Sequence, residues 1–204
     1  PSLRISAFDV DLAAEISSVR KAGLTFAPEA GSERLRRVIN KPLDEDAFLE
    51  VIAEVFRKGW RTIKLYFMVG LPGETMDDVD AIPGLCKKIK HRFLKASRPK
   101  ARMGHIVVSL NSFVPKAFTP FQWSPLESVR ELKKRIRHVR KELAKTANVR
   151  VHSDIPKWAY VQALLSRGDR RTARLLVEAL NNGGNWAKTL KASIINPDFY
   201  VYRL

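Results

Sequence analysis

Apolar residues in this chain fall into short runs separated by amphipathic stretches of helical period. The runs Leu3–Phe8, Leu24–Ala27, Thr62–Val69 and His105–Leu110 read as buried strands. Asp11–Lys21 has a helical pattern. Ala47, Phe48, Val51, Ile52, Val55 and Phe56 recur at i, i+3, i+4, which predicts a helix from near Asp44 to Gly59. Thr75 and Asp78 have capping-box spacing, so a helix is expected to run towards Phe93, with Pro83-Gly84 as the place for a kink. Strands that alternate with helices imply parallel pairing and right-handed crossovers, as in a (βα) barrel or a doubly wound sheet.

The pattern changes beyond Leu110. Asn111–Trp123 is a Pro- and Phe-rich loop without period. Ser124-Pro125-Leu126-Glu127 then reads as a helix start. The apolar face of that helix is Leu126, Val129, Leu132, Ile136, Val139 and Leu143. Its other face carries Arg130, Lys133, Lys134, Arg137, Arg140 and Lys141. Further helix is expected over Pro156–Leu165 and, beyond Gly168-Asp169, on to Leu180, where Asn181–Gly184 ends it. The tail Asp198–Arg203 reads as a short strand. The internal boundary falls near Trp123, giving an α/β part over residues 1–123 and a mainly helical extension over 124–204. Pro1 opens directly into a strand-like run, which suggests a piece of a longer polypeptide.

Composition narrows the function classes. A chain of 204 residues with a single cysteine, Cys86, has no disulfide framework, so a reducing, cytoplasmic setting is expected. Four scattered histidines give no metal-ligand spacing, so no metal site is expected in the chain itself. No apolar run reaches the ~18 residues of a membrane span. The net charge of +16 favours polyanions such as RNA as partners.

In a parallel α/β fold ligands gather at the C-terminal ends of the strands. The segments there are Pro28-Glu29-Ala30-Gly31-Ser32, Gly70-Leu71-Pro72-Gly73-Glu74-Thr75 and Asn111-Ser112-Phe113-Val114-Pro115. A carboxylate at Glu29 can accept hydrogen bonds from vicinal hydroxyls, or simply complement a helix N-terminus. Ser32 is the natural N-cap of the helix that follows. Gly70 and Gly73 let a ligand approach the backbone, or serve as turn punctuation. Phe113, Phe118, Phe121 and Trp123 can stack bases or pack the loop. Cys86 reads as an inert core thiol.

The ordered set Leu24–Arg36, Ile39-Asn40-Lys41 and Lys64–Thr75 resembles the second half of the radical S-adenosylmethionine (SAM) barrel. It is most similar to the B12-domain-linked radical SAM proteins, themselves similar to the tRNA methylthiotransferases. Asn111–Trp123 and Arg167–Arg171 look like the same subgroup. The resemblance implies the C-terminal part of a partial (β/α)6 barrel, in which the strands named above are the family's third to sixth. It implies SAM as cofactor, with Glu29 at the ribose and Ser32 near the polar end of SAM. Val69 and Gly70 would lie beside the adenine, with Phe113, Val114 and Pro115 flanking it. It also implies a [4Fe–4S] cluster, held by a CxxxCxxC loop that this chain lacks. The missing N-terminal part of the same polypeptide is therefore an expected partner, and these residues alone are expected to be inactive and to carry no catalytic group. Cobalamin is left open. The Gly70–Glu74 spacing is one residue longer than the common superfamily form.

Exposed barrel edges would favour self-association. The alternative reading is a basic RNA-associated α/β module without redox activity, and a third is a structural domain in which Glu29 and Gly70 only serve turns.

Overall fold

The computed structural model describes residues 2–3, 23–97 and 104–203. Most of the strand expected at Leu3–Phe8, and all of the helix expected at Asp11–Lys21, lie outside the described residues. The sheet has five strands in the order β1 (Ser2–Leu3), β2 (Leu24–Glu29), β3 (Thr62–Val69), β4 (His105–Ser112) and β5 (Val149–Ser153). The pairs β1–β2, β2–β3 and β4–β5 are parallel. At the start of β4 the His105 amide donates to the carbonyl of Arg61, just before β3, so these two strands also begin side by side. The apolar pattern thus predicts the α/β class and its parallel strands. It missed β5, a polar five-residue strand (Val-Arg-Val-His-Ser) with too little apolar character to stand out.

The chain divides into two compact units. The first comprises Pro1–Val69, Gly73–Asn111 and Arg135–Ser153. Its strands bury alternate residues: Leu24 and Phe26 on β2, Ile63, Leu65, Phe67 and Val69 on β3, Ile106, Val108 and Leu110 on β4. Helices α2 (Glu45–Arg57) and α3 (Met76–Ser97) supply Phe48, Ile52, Val55, Val79, Ile82 and Ile89 to the same core. Phe26 meets Phe48 edge-on at 5.6 Å, and Phe56 lies 4.1 Å from Phe93 between ring centroids. The alternate positions Thr25, Ala27 and Glu29, and Ser109 and Asn111, are half-buried, while Lys64 and Tyr66 are exposed. The strands therefore present one helix-covered face and one more polar face, whereas continuous apolar runs predict burial on both.

Local chemistry fixes the element ends. Asp44 caps α2 by accepting the Ala47 amide. The Asp78 carboxylate accepts the Thr75 amide at 2.8 Å while the Thr75 hydroxyl accepts the Asp78 amide, a capping box that opens α3. α3 runs unbroken through Pro83.

The second unit comprises Gly70–Pro72, Ser112–Lys134 and Asp154–Leu204. Its core is Leu126, Ala159, Ala163, Leu164, Leu175 and Val201. α5 (Pro156–Arg167) and α6 (Thr172–Asn181) match the expected pair of helices, and α7 (Trp186–Lys191) follows them. The tail expected as a strand is instead α8 (Pro197–Tyr202). Asn196 caps it by accepting the Asp198 amide, and Pro197 takes the first helical turn, where no amide is required. Helix α4 (Val129–Ala144) begins later than the Ser124 motif suggests. Ser128 supplies the cap, its hydroxyl accepting the Glu131 amide at 3.2 Å.

Candidate functional site

The first group of candidate residues lies where β2 ends. Pro28 has no amide to give the ladder, and the β2–β3 register shifts between Phe26 and Glu29. Glu29 then takes φ +67°, a left-handed conformation that costs an L-residue other than Asn or Asp roughly 1–2 kcal/mol. Backbone held this way concentrates at binding sites. The Glu29 side chain is 17% exposed, and its Oε1 lies 2.5 Å from Lys41 Nζ.

The position of Lys41 follows from the end of the next helix, α1 (Glu33–Val38). Asn40 takes φ +54°, its amide donates to Arg37, and the Lys41 amide donates to Arg36 at 2.8 Å. That is a Schellman closure, which turns the chain back towards β2. Ile39-Asn40-Lys41, quoted above only as part of a motif, is thus the device that delivers a cation to Glu29.

Ser32 caps α1: its hydroxyl accepts the Leu35 amide at 3.1 Å and donates to Asp78. One lone pair is left for any ligand. Arg34 also pairs with Asp78 and donates to the Gly73 carbonyl at 2.8 Å. Burial pushes the Asp78 carboxyl up, but hydrogen bonds from Arg34, Ser32 and Thr75 outweigh it and hold the group well below the usual carboxylate range. Arg36 is 1% exposed; its Nη1 donates to the carbonyls of Ala30 and Gly31 at 3.2 and 2.8 Å, and its Nη2 meets Glu45 at 3.4 Å. A Cβ on Gly31 would lie 2.7 Å from the Ala81 carbonyl carbon, so only glycine fits between this loop and α3. Sequence reasoning singled out neither Arg34 nor Arg36, because an arginine on a helix pattern carries no signal that it will be locked by a loop.

Val69, at the end of β3, is fully buried on the helix-covered side of the sheet. Glu74, in the loop beyond it, is buried and pairs with Arg135 of α4 at 2.6 Å.

The remaining candidates belong to the second unit. Gly70 takes φ +82°, and a Cβ there would stand 2.5 Å from Leu132 Cδ2 and 3.1 Å from Glu127 Cβ. Phe113 packs edge-on against Phe121 at 5.8 Å. Val114 packs against the core cluster of this unit, and Pro115 is buried. Asp154 accepts the Ser112 amide and hydroxyl at 2.9 and 3.2 Å, pinning the start of the loop. Phe118 and Trp123, by contrast, are exposed.

For metal binding the described residues offer little. No group of three or more His, Cys, Asp and Glu side chains among them has metal-holding geometry. Cys86 is buried, and burial pushes its thiol up to about 12. No helix among the described residues is long and apolar enough to cross a membrane.

Comparison with known proteins adds two findings. A family model described as the radical SAM superfamily matches residues 2–85, a span that holds β2, β3 and the loops after both. An uncharacterised protein of Methanocaldococcus jannaschii is 33% identical over 175 residues, covering 86% of this chain and 36% of the relative. The chain thus spans about a third of the length of that relative. With parallel strands, helices between them and this match, the segment 2–85 of the chain belongs to the radical SAM superfamily.

Proposed function

We propose that this chain is the C-terminal part of a radical SAM iron–sulfur enzyme and supplies the ribose- and adenine-binding side of its barrel. Residues 1–123 would be the back half of that barrel, extended by β5, with the rest of 124–204 as a mainly helical extension. The observation that carries the reading is Glu29: a carboxylate at the C-terminal end of a parallel strand, in a strained conformation and steadied by Lys41.

SAM fits the residues present. Glu29 Oε1 is engaged by Lys41, which leaves Oε2 to accept the vicinal ribose hydroxyls. Ser32 retains one lone pair for the polar end. The backbone at Val69, at the C-terminal end of β3, would lie beside the ring. Arg36 and Gly31 act one step back, by holding the loop that carries Glu29.

The cluster does not fit. Its only cysteine candidate is a buried thiol with a raised pKa, and among the described residues no metal-holding group surrounds it. Its ligands would have to come from the N-terminal part of the same polypeptide. SAM bound in such an enzyme supplies hydrogen-atom abstraction. The residues of this chain bind and orient it.

The test is turnover by the complete polypeptide, purified and reduced anaerobically. We expect release of 5′-deoxyadenosine, with the KM for SAM raised about tenfold in Glu29→Gln, the equivalent of one charge-assisted hydrogen bond. A complete polypeptide that binds no iron and releases none would overturn the reading.

A second reading rests on charge. With +16 net and the exposed basic face of α4, RNA or another polyanion is a proposed partner.

A further inference from the structure

A cavity of about 950 Å³ opens in the second unit between α6, α8 and the segment joining α7 to α8. Its wall combines Arg170, Arg174, Glu178, Ile194, Phe199 and Tyr200. Four features of this wall decide what it suits.

Arg170, two residues before α6, and Arg174, in its first turn, are both exposed. Neither guanidinium has a hydrogen bond or ion pair to a described residue. Their neighbour Arg171 differs: it is forked onto Asp169 at 2.7 Å and held to the Tyr200 hydroxyl at 2.7 Å. That pair is neutral and serves the wall. With Glu178 counted against the two free arginines, the cavity keeps one net positive charge.

Phe199 is 55% exposed, a large share for an aromatic ring. Its ring lies perpendicular to that of Tyr200, 5.5 Å away, and lines the cavity. Ile194, 88% exposed, adds an apolar group to the lining. Two unpaired, planar phosphate-binding groups in one wall with an exposed aromatic ring are the two halves of nucleotide recognition: charge for the backbone and a platform for the base. The volume is within the range of small-ligand sites.

We infer that this cavity takes a nucleotide unit of single-stranded RNA, with the phosphate on Arg170 and Arg174 and the base stacked on Phe199. The inference deepens the polyanion reading and is independent of the SAM site. It also moves RNA recognition away from the basic face of α4, where charge alone suggests it.

The probe is a fluorescein-labelled twelve-residue oligouridylate, followed by anisotropy with the full chain over a series of KCl concentrations. Arg170→Ala/Arg174→Ala is expected to weaken binding at least tenfold, and to lower the salt slope by about 0.7, the value for one neutralised phosphate on a single strand. Phe199→Leu keeps an apolar side chain at a half-exposed position. It is expected to weaken binding about tenfold with the slope unchanged, as loss of one stacked base does. Lys133→Ala/Lys134→Ala on α4 should change the affinity less than the arginine pair does.

Binding that survives the arginine and Phe199 substitutions within twofold overturns this site while leaving the polyanion reading intact. Loss with the arginines but not with Phe199→Leu marks a generic anion surface and overturns base recognition. Displacement of the oligomer by 5′-AMP at equal affinity marks a free nucleotide as occupant and overturns the RNA assignment. No oligouridylate binding at all overturns both.

Discussion

Glu29 carries a backbone conformation that glutamate rarely adopts, and Pro28 before it explains how the chain gets there. Strain of this kind separates function from fold in a measurable way. Glu29→Gly removes the carboxylate and relieves the left-handed φ, while losing only a mostly solvated partner in Lys41. We expect its unfolding free energy to stay within about 1 kcal/mol of the parent in urea melts. Gly70 is the opposite case. Gly70→Ala would put a Cβ against Leu132 at φ +82°, and is expected to cost roughly 2–3 kcal/mol in the same melts. Cys86 is shut in and its thiol is pushed up to about 12. It should resist iodoacetamide at pH 8 in the native chain and react on unfolding; fast native labelling would contradict its placement.

At the scale of elements, Asp78 ties together the start of α3, the cap of α1 and Arg34. Removing its charge in Asp78→Asn leaves the Thr75 and Ser32 donors and a helix start poorly served, and should cost about 2–3 kcal/mol. The acid dependence follows from the direction of its shift. The folded pKa lies below the unfolded value of about 3.9, so the carboxylate's stabilisation is fully present above that value. It is lost as the pH falls towards the folded pKa. Acid melts of Asp78→Asn should therefore be flatter below about pH 4 than those of the parent. Periodic elements were legible in the sequence: α2 with its Asp44 cap, the α3 capping box, β3 and the α5–α6 pair all follow from apolar spacing and end signals. Elements whose signal is tertiary were not. β5 is held by its register with β4 (Val107 against Arg150, Ser109 against His152), not by its own composition. α8 looked like a strand because Phe199-Tyr200-Val201-Tyr202 is rich in strand formers, and the Asn196 cap with Pro197 overruled propensity. In the site the same divide holds. Glu29 and Ser32 could be named from their place after a strand, whereas the grip of Lys41, Arg34 and Arg36 depends on how three segments fold back together.

At the scale of the whole molecule, the superfamily assignment rests on residues 2–85, and the chain spans about a third of the length of the relative it matches. β5 stands at the sheet edge with Arg150 and His152 exposed, a charged rim of the kind that discourages strand addition there. Self-association, if barrel edges drive it, should rise with concentration in sedimentation runs; a monomer throughout would leave the edges without that role. Equilibrium dialysis of SAM against the complete, anaerobically reconstituted polypeptide and its Glu29→Gln variant tests the adenosyl-binding role most directly. We expect the variant to keep its iron content and to bind SAM about tenfold more weakly, a loss of about 1.4 kcal/mol. Equal affinity in the two proteins, at equal iron content, would contradict it.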